Sequence, residues 1–299
     1  MSADFQLFAW SSSQLAAVER ALERWVPASA PAGLGEAMRY AVLDGGKRLR
    51  PLLVLAAAEA AQGHADAALR AACAVELIHA YSLVHDDMPC MDNDVLRRGK
   101  LTVHVKFGEA QALLAGDALQ ALAFELLAPQ ASESDMPVAV QASLCRLLAQ
   151  AAGHAGMAGG QAIDLASVGM SLTEDQLRQM HRLKTGALLQ ACVVMGAACA
   201  QPQAAARSAL ERYGAALGLA FQVVDDILDV TADSATLGKT AGKDAANDKP
   251  TYVSLLGLEC SRAYAKALLD EALGALSDSG LADTRALAAL ARMVVARNN

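Results

Sequence analysis

The sequence predicts an all-α protein that folds as one domain over residues 1–299. Ala and Leu, which are strong helix formers, are abundant in a chain that is 54% hydrophobic. Aromatic residues make up only 4% of the chain, and the residues that favour strands are sparse. No long linker, low-complexity tract or solenoid-length repeat divides the sequence, so one large helical core is expected.

Helix boundaries follow from Pro, Gly and capping residues. Gly45 and Gly46 are expected to end one helix, because Gly permits the left-handed turn beyond it, and Pro51 suits the first turn of the next. Thr173 and Gln176 have the spacing of a capping box. Helices are predicted over Ser12–Trp25, Leu34–Leu43, Ala65–His85, Thr102–Leu127, Val138–Val168, Thr173–Cys199 and Ala204–Val230, with two more near the C-terminus.

Charge and composition narrow the class of protein. A net charge of −7 disfavours a nucleic-acid partner, and the N-terminus lacks the basic and apolar regions of a signal peptide. The uncharged stretch Thr185–Gln203 is nearly long enough to cross a bilayer, but a buried core helix is the preferred interpretation. Six scattered Cys residues without a CxxC pair indicate reduced thiols. We therefore expect a cytoplasmic protein with no membrane span.

Two clusters of aspartates carry the chemistry. They are Asp86, Asp87, Asp92 and Asp94 in HDDMPCMDND, and Asp225, Asp226 and Asp229 in FQVVDDILD. Both clusters interrupt apolar helical stretches, where carboxylates are costly unless something compensates their charge. Mg²⁺ takes oxygen ligands and commonly bridges carboxylates to phosphates. Two such clusters facing each other would form a cavity for a diphosphate bound through Mg²⁺.

Basic residues alternate with these acids along the chain. GGKRLRP at 45–51 places Lys47, Arg48 and Arg50 in a loop that leads into a helix N-terminus, where anions bind favourably. The other basic residues near the clusters are Arg97, Arg98, Lys184, Lys239, Lys243 and Lys249. Acids that hold metal and bases that hold phosphate are the expected components of one site.

Taken together, these motifs resemble the trans-prenyltransferases, the short-chain isoprenyl diphosphate synthases. The matching segments are 45–51, 79–99, 181–191, 221–230 and 237–252, in the order of the family. The first cluster has the DDxxxxD spacing typical of bacterial farnesyl diphosphate synthases. The resemblance implies the isoprenoid synthase type I fold, a bundle of helices around a deep central cavity, and a homodimer. It also implies Mg²⁺ as cofactor, with isopentenyl diphosphate and allylic diphosphates as substrates.

The resemblance also implies roles for individual residues. Asp86, Asp92 and Asp225 match the direct Mg²⁺ ligands, while Asp87, Asp226 and Asp229 match acids that support them or reach the metal through water. Gly46, Lys47, Arg50, His79 and Arg98 match the isopentenyl diphosphate site, and Arg97, Lys184, Lys239 and Lys249 match the allylic diphosphate site. Thr185 and Gln222 match residues whose oxygens stabilise a developing carbocation, and with Lys184 they are the predicted catalytic residues.

Product length depends on the depth of the cavity. Tyr81 is five residues before Asp86, about one turn deeper, and its ring is expected to stop the chain at fifteen carbons, which gives farnesyl diphosphate. Geranylgeranyl diphosphate is the alternative product. A class I terpene cyclase and a non-catalytic partner subunit are less favoured, since the second cluster reads DDILD and the ligands are retained. The segment Asp233–Lys249 is predicted to close over the site as a mobile loop, whereas the end Arg-Asn-Asn lacks the basic tail of many relatives.

Overall fold

The computed structural model describes residues 5–43, 45–170, 172–200, 202–231 and 251–298. Its helices are α1 (Leu7–Trp25), α2 (Leu34–Val42), α3 (Leu49–Ala60), α4 (Ala65–Asp86), α5 (Val103–Phe107), α6 (Glu109–Leu127), α7 (Val138–Ala152), α8 (Met157–Ala166), α9 (Glu174–His181), α10 (Ala187–Ala198), α11 (Ala204–Thr231), α12 (Tyr252–Leu256), α13 (Leu258–Asp278) and α14 (Arg285–Val295). A single turn of π-helix, Arg182–Gly186, joins α9 to α10. The strands β1 (Leu96–Arg97) and β2 (Lys100–Leu101) form an antiparallel hairpin. The all-α prediction is therefore confirmed.

Glycines break two segments that the sequence predicts as single helices. Gly108, with φ of 89°, ends α5 and precedes α6, so the predicted helix Thr102–Leu127 is two helices. Gly153 and Gly156 likewise separate α7 from α8 within Val138–Val168. The positive φ of Gly108 is easy for Gly and strained for other residues, and at Gly156 a Cβ would lie 2.2 Å from the carbonyl oxygen of Ala151. The predicted capping box of Thr173 and Gln176 is confirmed at the start of α9.

The centre of the bundle is formed by helices that are apolar on almost every side. α4 packs against α3 and α6, and α10 packs against α3 and α11. Small residues allow close approach: a Cβ on Gly196 of α10 would lie 2.2 Å from the carbonyl oxygen of Val54 on α3. α11 packs along α13 on its other side. The two helices that carry the acid clusters, α4 and α11, therefore belong to the interior of the bundle.

Among the described residues, two helices are long and apolar enough to cross a membrane by length and composition alone. They are α4 and α6, and 78% of the apolar window of α4 is buried inside the protein, against 39% for α6. Buried core helices commonly pass this test, so it is weak evidence for a span. The stretch Thr185–Gln203 contains the largely buried α10, as the preferred interpretation of a core helix requires.

Candidate active site

The first acid cluster lies where α4 ends. Asp86 is the last residue of the helix and Asp87 caps it. After Pro89 the chain turns back, since the amide of Asp92 donates to the carbonyl of Asp86 at 2.9 Å and the amide of Asp94 donates to the carbonyl of Asp87 at 3.1 Å. This bend, which the proline predicts, brings Asp92 beside Asp86.

Asp86 is a carboxyl group in a crowded acidic environment. Burial, together with the charges of Asp92 and Asp87, raises the pKa of Asp86 to about 6, although Lys184 and Arg97 act in the opposite direction. A nearby divalent cation would favour the charged form of this group. The environment of Asp86 therefore fits a carboxylate that receives a metal ion.

The donor set of the two clusters fits Mg²⁺ arriving with a phosphate substrate. Carboxylate oxygens suit this hard cation better than softer metals. Within the described ranges, no group of three or more His, Cys, Asp or Glu side chains is arranged to hold a metal ion by itself. Since Mg²⁺ typically uses one or two carboxylates and takes its other ligands from water and phosphate, a site completed by substrate is what these residues offer.

Arg97 is held in place by Asp87. Its Nη2 donates to Oδ1 of Asp87 at 2.6 Å, and its Nε donates to Oδ2 at 2.9 Å. Arg97 lies on β1 opposite Lys100, so this two-point ion pair joins the hairpin to the end of α4. Asp87 is 3% exposed, and both of its carboxylate oxygens accept hydrogen bonds from Arg97. Its contribution to metal binding stays a prediction.

The hairpin also places Arg98 beside the glycine-rich loop. Arg98 has a left-handed backbone, with φ of 52°, and its Nη1 donates to the carbonyl of Gly45 at 3.0 Å. A Cβ on Gly46 would lie 2.7 Å from the same Nη1. A side chain at position 46 would push this guanidinium aside, and the φ of Gly46, 140°, also favours glycine.

Lys47, Arg50 and His79 gather near Arg98. Burial, followed by the charges of Arg50 and Arg98, holds the pKa of His79 well below its ordinary value, so the ring is neutral near pH 7. Partial burial and the charges of Arg297 and Arg98 lower the pKa of Lys47. The Nε of Arg50 is buried without a hydrogen-bond partner in the part of the chain that the structure describes. A group of cations with an unsatisfied buried donor suits an anionic ligand.

A chain of hydrogen bonds runs through the second cluster. The hydroxyl of Thr185 donates to Oε1 of Gln222 at 3.1 Å, and Nε2 of Gln222 donates to Oδ1 of Asp226 at 3.0 Å. The other oxygen of Asp226 accepts from the amide of Tyr252, the first residue of α12, at 2.8 Å. Because an ionised carboxylate can only accept, Asp226 fixes the orientation of the Gln222 amide. Asp229, one turn further along α11, is 4% exposed.

Lys184 is presented by the π-helical turn before α10. Its Nζ lies 2.6 Å from Oδ2 of Asp164, which is buried on α8. The turn is clamped between two glycines, since a Cβ on Gly160 would lie 2.1 Å from the backbone nitrogen of Lys184, and one on Gly218 would lie 2.9 Å from the Cα of Gly186. Single π-turns are frequent at functional sites. The segment Gly159-Gly160-Gln161 is the sequence signal for this close packing.

Arg297 is a residue of the site that the sequence analysis missed. Its Nη2 donates to Oδ1 of Asp225 at 3.2 Å, and its guanidinium lies 4.8 Å from the centre of the Phe221 ring. No residue of α14 or of the segment after it is among the site residues that the sequence predicts. One arginine nevertheless reaches the second cluster, and a lone cation close to the end of the chain was the available signal.

Tyr81 is braced by neighbouring side chains. Its ring meets that of His85 edge to face, with centroids 5.7 Å apart. His85 in turn lies against α6, with Nε2 at 3.1 Å from the carbonyl oxygen of Leu113, and a Cβ on Gly116 would lie 2.0 Å from Nε2. The length-determining role of Tyr81 is still a prediction, but its ring is packed against a fixed neighbour.

Two predicted site residues, Lys239 and Lys249, fall outside the described residues. Lys243, to which the sequence analysis gives no role, and the proposed closing segment Asp233–Lys249 also lie outside them.

A small cavity adjoins the site beside the hairpin. Its volume is about 100 Å³, and its lining includes Tyr40, Leu83, Asp87, Arg97 and Thr102. No residue of the second acid cluster lines it. This cavity therefore lies next to the ion pair of Asp87 and Arg97, apart from the space between the two clusters.

Comparison with known proteins agrees with the fold and the motifs. Residues 31–290 match the family model described as polyprenyl synthetase. A probable farnesyl diphosphate synthase of Bradyrhizobium diazoefficiens is 52% identical over 277 residues, which cover 91% of this chain and 82% of the relative. A chloroplastic large subunit of a heterodimeric geranylgeranyl pyrophosphate synthase of Arabidopsis thaliana is 46% identical over 303 residues, which cover 100% of this chain and 81% of the relative.

A solved structure of a related synthase has the same fold. The FPP/GFPP synthase of Zymomonas mobilis, in its apo form, is 42% identical and superposes with a TM-score of 0.85, covering 97% of this chain and 98% of that chain. The likeness spans nearly the whole of both chains, and the acid clusters occur in the expected order. The chain therefore belongs to the polyprenyl synthetase family and is a prenyltransferase of the farnesyl and geranylgeranyl diphosphate synthase type.

Proposed function

We propose that this prenyltransferase is a Mg²⁺-dependent farnesyl diphosphate synthase. It condenses isopentenyl diphosphate first with dimethylallyl diphosphate and then with geranyl diphosphate. The proposal rests on the proximity of acids and cations that come from different elements. The charge of Lys184 acts to lower the pKa of Asp86. The charge of Asp225 acts to raise the pKa values of Lys47 and Arg50. Acids suited to metal and cations suited to diphosphate thus share one site.

Asp86, Asp92 and Asp225 are the residues that would hold the metal. When it is bound, Mg²⁺ supplies positive charge that stabilises the departing diphosphate. The chain contributes carboxylate oxygens from the end of α4 and from α11, so that a diphosphate between these helices is approached from both sides.

Arg97 and Lys184 bind the allylic diphosphate, with Lys239 and Lys249 as further expected contacts. Arg97 is oriented by Asp87 and Lys184 by Asp164, at 2.6 Å in each case. Cations that are already placed need little reorganisation as charge develops on the leaving oxygen, and such preorganisation is an effective form of catalysis.

Thr185 and Gln222 stabilise the allylic cation that forms when the C–O bond breaks. The proton of the Thr185 hydroxyl is used in the bond to Gln222, and the amide group of Gln222 is directed towards Asp226. Two oxygens with available lone pairs therefore lie together. We expect the reacting carbons beside them, because acceptor oxygens favour positive charge.

Lys47, Arg50, His79 and Arg98 bind the diphosphate of isopentenyl diphosphate. Arginine suits two-point phosphate contacts, lysine a single strong contact, and a neutral histidine can donate one hydrogen bond. The double bond of isopentenyl diphosphate attacks the cation, and a proton is then lost to the departing diphosphate. Water must be kept away from the cation, for which closure of a loop over the site is expected.

Fifteen carbons are the proposed product length, and twenty are the alternative. Tyr81 favours the shorter product, and so does the relative named as a probable farnesyl diphosphate synthase. The geranylgeranyl pyrophosphate synthase subunit at 46% identity is the observation that keeps the longer product as second candidate.

The remaining proposals concern the state of the protein in the cell. We expect a cytoplasmic homodimer that neither spans a membrane nor binds nucleic acid. Size-exclusion chromatography with light scattering tests the assembly, because a mass near one protomer would contradict the dimer.

The function is tested with the purified protein, Mg²⁺, isopentenyl diphosphate and each allylic starter in turn. Phosphatase treatment and chromatography identify the product alcohols. Farnesol is expected as the main alcohol, and EDTA should abolish turnover until Mg²⁺ is restored. Full activity in metal-free buffer, or no condensation with any starter, would reject the proposal.

Single substitutions test the two clusters. Asp86→Ala and Asp225→Ala should each lower turnover by orders of magnitude, because the site needs carboxylates from both helices. Asp270→Ala, an exposed acid on α13, is the matched control and should keep wild-type turnover. Activity of Asp225→Ala equal to that of the control would remove the second cluster from the mechanism.

A further inference from the structure

Arg48 stands between Lys47 and Arg50, yet its side chain is buried and surrounded by acceptors. The residue is 5% exposed. Its Nε donates to Oε1 of Glu19 at 2.7 Å, its Nη1 to Oε1 of Glu76 at 2.8 Å, and its Nη2 to the carbonyl of Val42 at 2.6 Å. Two acids and a carbonyl therefore use the donors that would otherwise bind a phosphate.

These contacts tie four helices together at the start of the basic loop. Glu19 lies on α1, Val42 ends α2 and Glu76 lies on α4, while Arg48 itself caps α3. The backbone of Arg48 is left-handed, with φ of 46°, a conformation uncommon for residues other than Gly. Since Lys47 and Arg50 flank this turn, the buried guanidinium determines where both of their side chains begin.

Glu76, one of the two acids paired with Arg48, also interacts electrostatically with Arg50. Glu76 is 5% exposed and lies three residues before His79 on α4. The negative charge of Glu76 already acts to raise the pKa of Arg50. A buried carboxylate without a partner is strongly unfavourable and recruits any cation within reach. Removal of Arg48 would therefore draw Arg50 towards Glu76.

We infer that Arg48 is a positioning residue for the isopentenyl diphosphate site. It neutralises Glu76 and fixes the left-handed turn, so that Arg50 and Lys47 stay available for the diphosphate. Arg48 itself does not touch the substrate. This inference rests on the proposed function, because it assigns the two flanking cations to isopentenyl diphosphate.

The test separates a positioning role from direct binding. Arg48→Met should raise the KM for isopentenyl diphosphate about tenfold, while the KM for geranyl diphosphate changes less than about twofold. Arg48→Met with Glu76→Met should restore the KM for isopentenyl diphosphate, because the carboxylate that captures Arg50 is gone. If Arg48 bound the diphosphate directly, the double variant would be as impaired as the single one.

Arg70 provides a matched control. It is also 5% exposed, and its Nε donates to Asp66 at 2.8 Å, near the start of α4. At about 1.5 Å per residue it lies roughly 13 Å along the helix from His79. Arg70→Met should lower the melting temperature and leave both KM values unchanged. Equal effects of Arg48→Met and Arg70→Met on the two KM values would overturn the inference.

Two further measurements keep the result decisive. If Arg48→Met does not fold, the double variant decides alone: a wild-type KM for isopentenyl diphosphate supports the inference, and a tenfold higher KM overturns it. Calorimetric titration with inorganic pyrophosphate compares the variants without turnover. Absence of condensation by the wild-type protein would reject the proposed function. In that case the positioning role would still be supported if pyrophosphate binding were weakened in Arg48→Met and restored in the double variant.

Discussion

Individual charged residues of this site fall into two groups. Arg97 and Lys184 are each engaged by a buried acid, so their positions are set before a ligand arrives. Arg50, in contrast, has a buried Nε without a partner among the described residues. If Arg97 and Lys184 bind the allylic diphosphate as proposed, they are preorganised for a leaving group on which charge develops. The second group is suited to a substrate whose own charge must satisfy the cations.

Tyr81 is the residue whose replacement is expected to change the product. If its ring forms the floor of the cavity, Tyr81→Ala opens an apolar channel and permits another five-carbon addition. Products should then shift from farnesyl towards geranylgeranyl diphosphate, as measured by chromatography of the alcohols. If Tyr81 is only a core residue, its truncation costs stability, ~3–5 kcal/mol for large aromatics, and the product stays the same.

Phe124→Ala is the control for this prediction. Phe124 is a partly buried aromatic on α6 that packs against the same core. Its truncation should lower stability and leave farnesyl diphosphate as the product. A folded, active Tyr81→Ala variant that still stops at fifteen carbons would exclude Tyr81 as the length determinant.

At the scale of elements, the π-helical turn Arg182–Gly186 depends on glycines of its neighbours. α8 and α11 approach the turn so closely that a methyl group at Gly160 or Gly218 would overlap its backbone. The turn presents Lys184 and Thr185 at adjacent positions. Close helix packing is therefore what directs both side chains to the site.

Gly160→Ala should impair catalysis through this turn. The added methyl group would lie 2.1 Å from the backbone nitrogen of Lys184, so the turn or α8 must move. We expect a fall in kcat of about tenfold or more, since small displacements of positioned groups have large effects on rate. Gly274→Ala on α13 is the control, because its methyl group meets nothing within 4 Å and should slightly stabilise the helix. Equal kcat values for the two variants would contradict the role of the clamp.

At the scale of the whole molecule, a buried histidine is expected to make the free energy of unfolding depend on pH. His181 ends α9, and its ring lies 5.5 Å from that of Tyr252 on α12. Burial lowers the pKa of His181 to about 4, and the charge of Lys184 acts in the same direction, while Asp164 opposes it. The folded protein therefore keeps this ring neutral well below the pH at which an unfolded chain protonates it.

Stability is accordingly expected to fall with pH. Between pH 6.5 and about 4 the unfolded chain binds a proton at His181 that the folded protein does not, so the free energy of unfolding decreases as the pH falls through this window. Urea unfolding followed by circular dichroism at pH 7.5, 5.5 and 4.5 measures this. His181→Gln should reduce the pH dependence, whereas the exposed control His154→Gln should not. The same slope in both variants would refute the assignment.

Local interactions are what the sequence by itself determined about this protein. The capping box joins residues three apart, and the bend after Pro89 returns Asp92 to Asp86 by a backbone hydrogen bond between residues six apart. The acid clusters, the basic loop and their order predict the prenyltransferase family, because each motif is contiguous. The helix breaks at Gly108 and between α7 and α8 were missed, since apolar periodicity continues across them.

Only the tertiary structure decided which distant residues hold these charged side chains. The sequence places Arg48 in the basic loop and leaves its role unassigned, whereas contacts with Glu19 and Glu76, 29 and 28 residues away, bury its side chain. Arg297 reaches Asp225 across 72 residues. Contacts of this kind depend on how whole helices pack, and no local pattern encodes them. A buried charge must find its partner wherever the fold brings one, so its role is settled by packing.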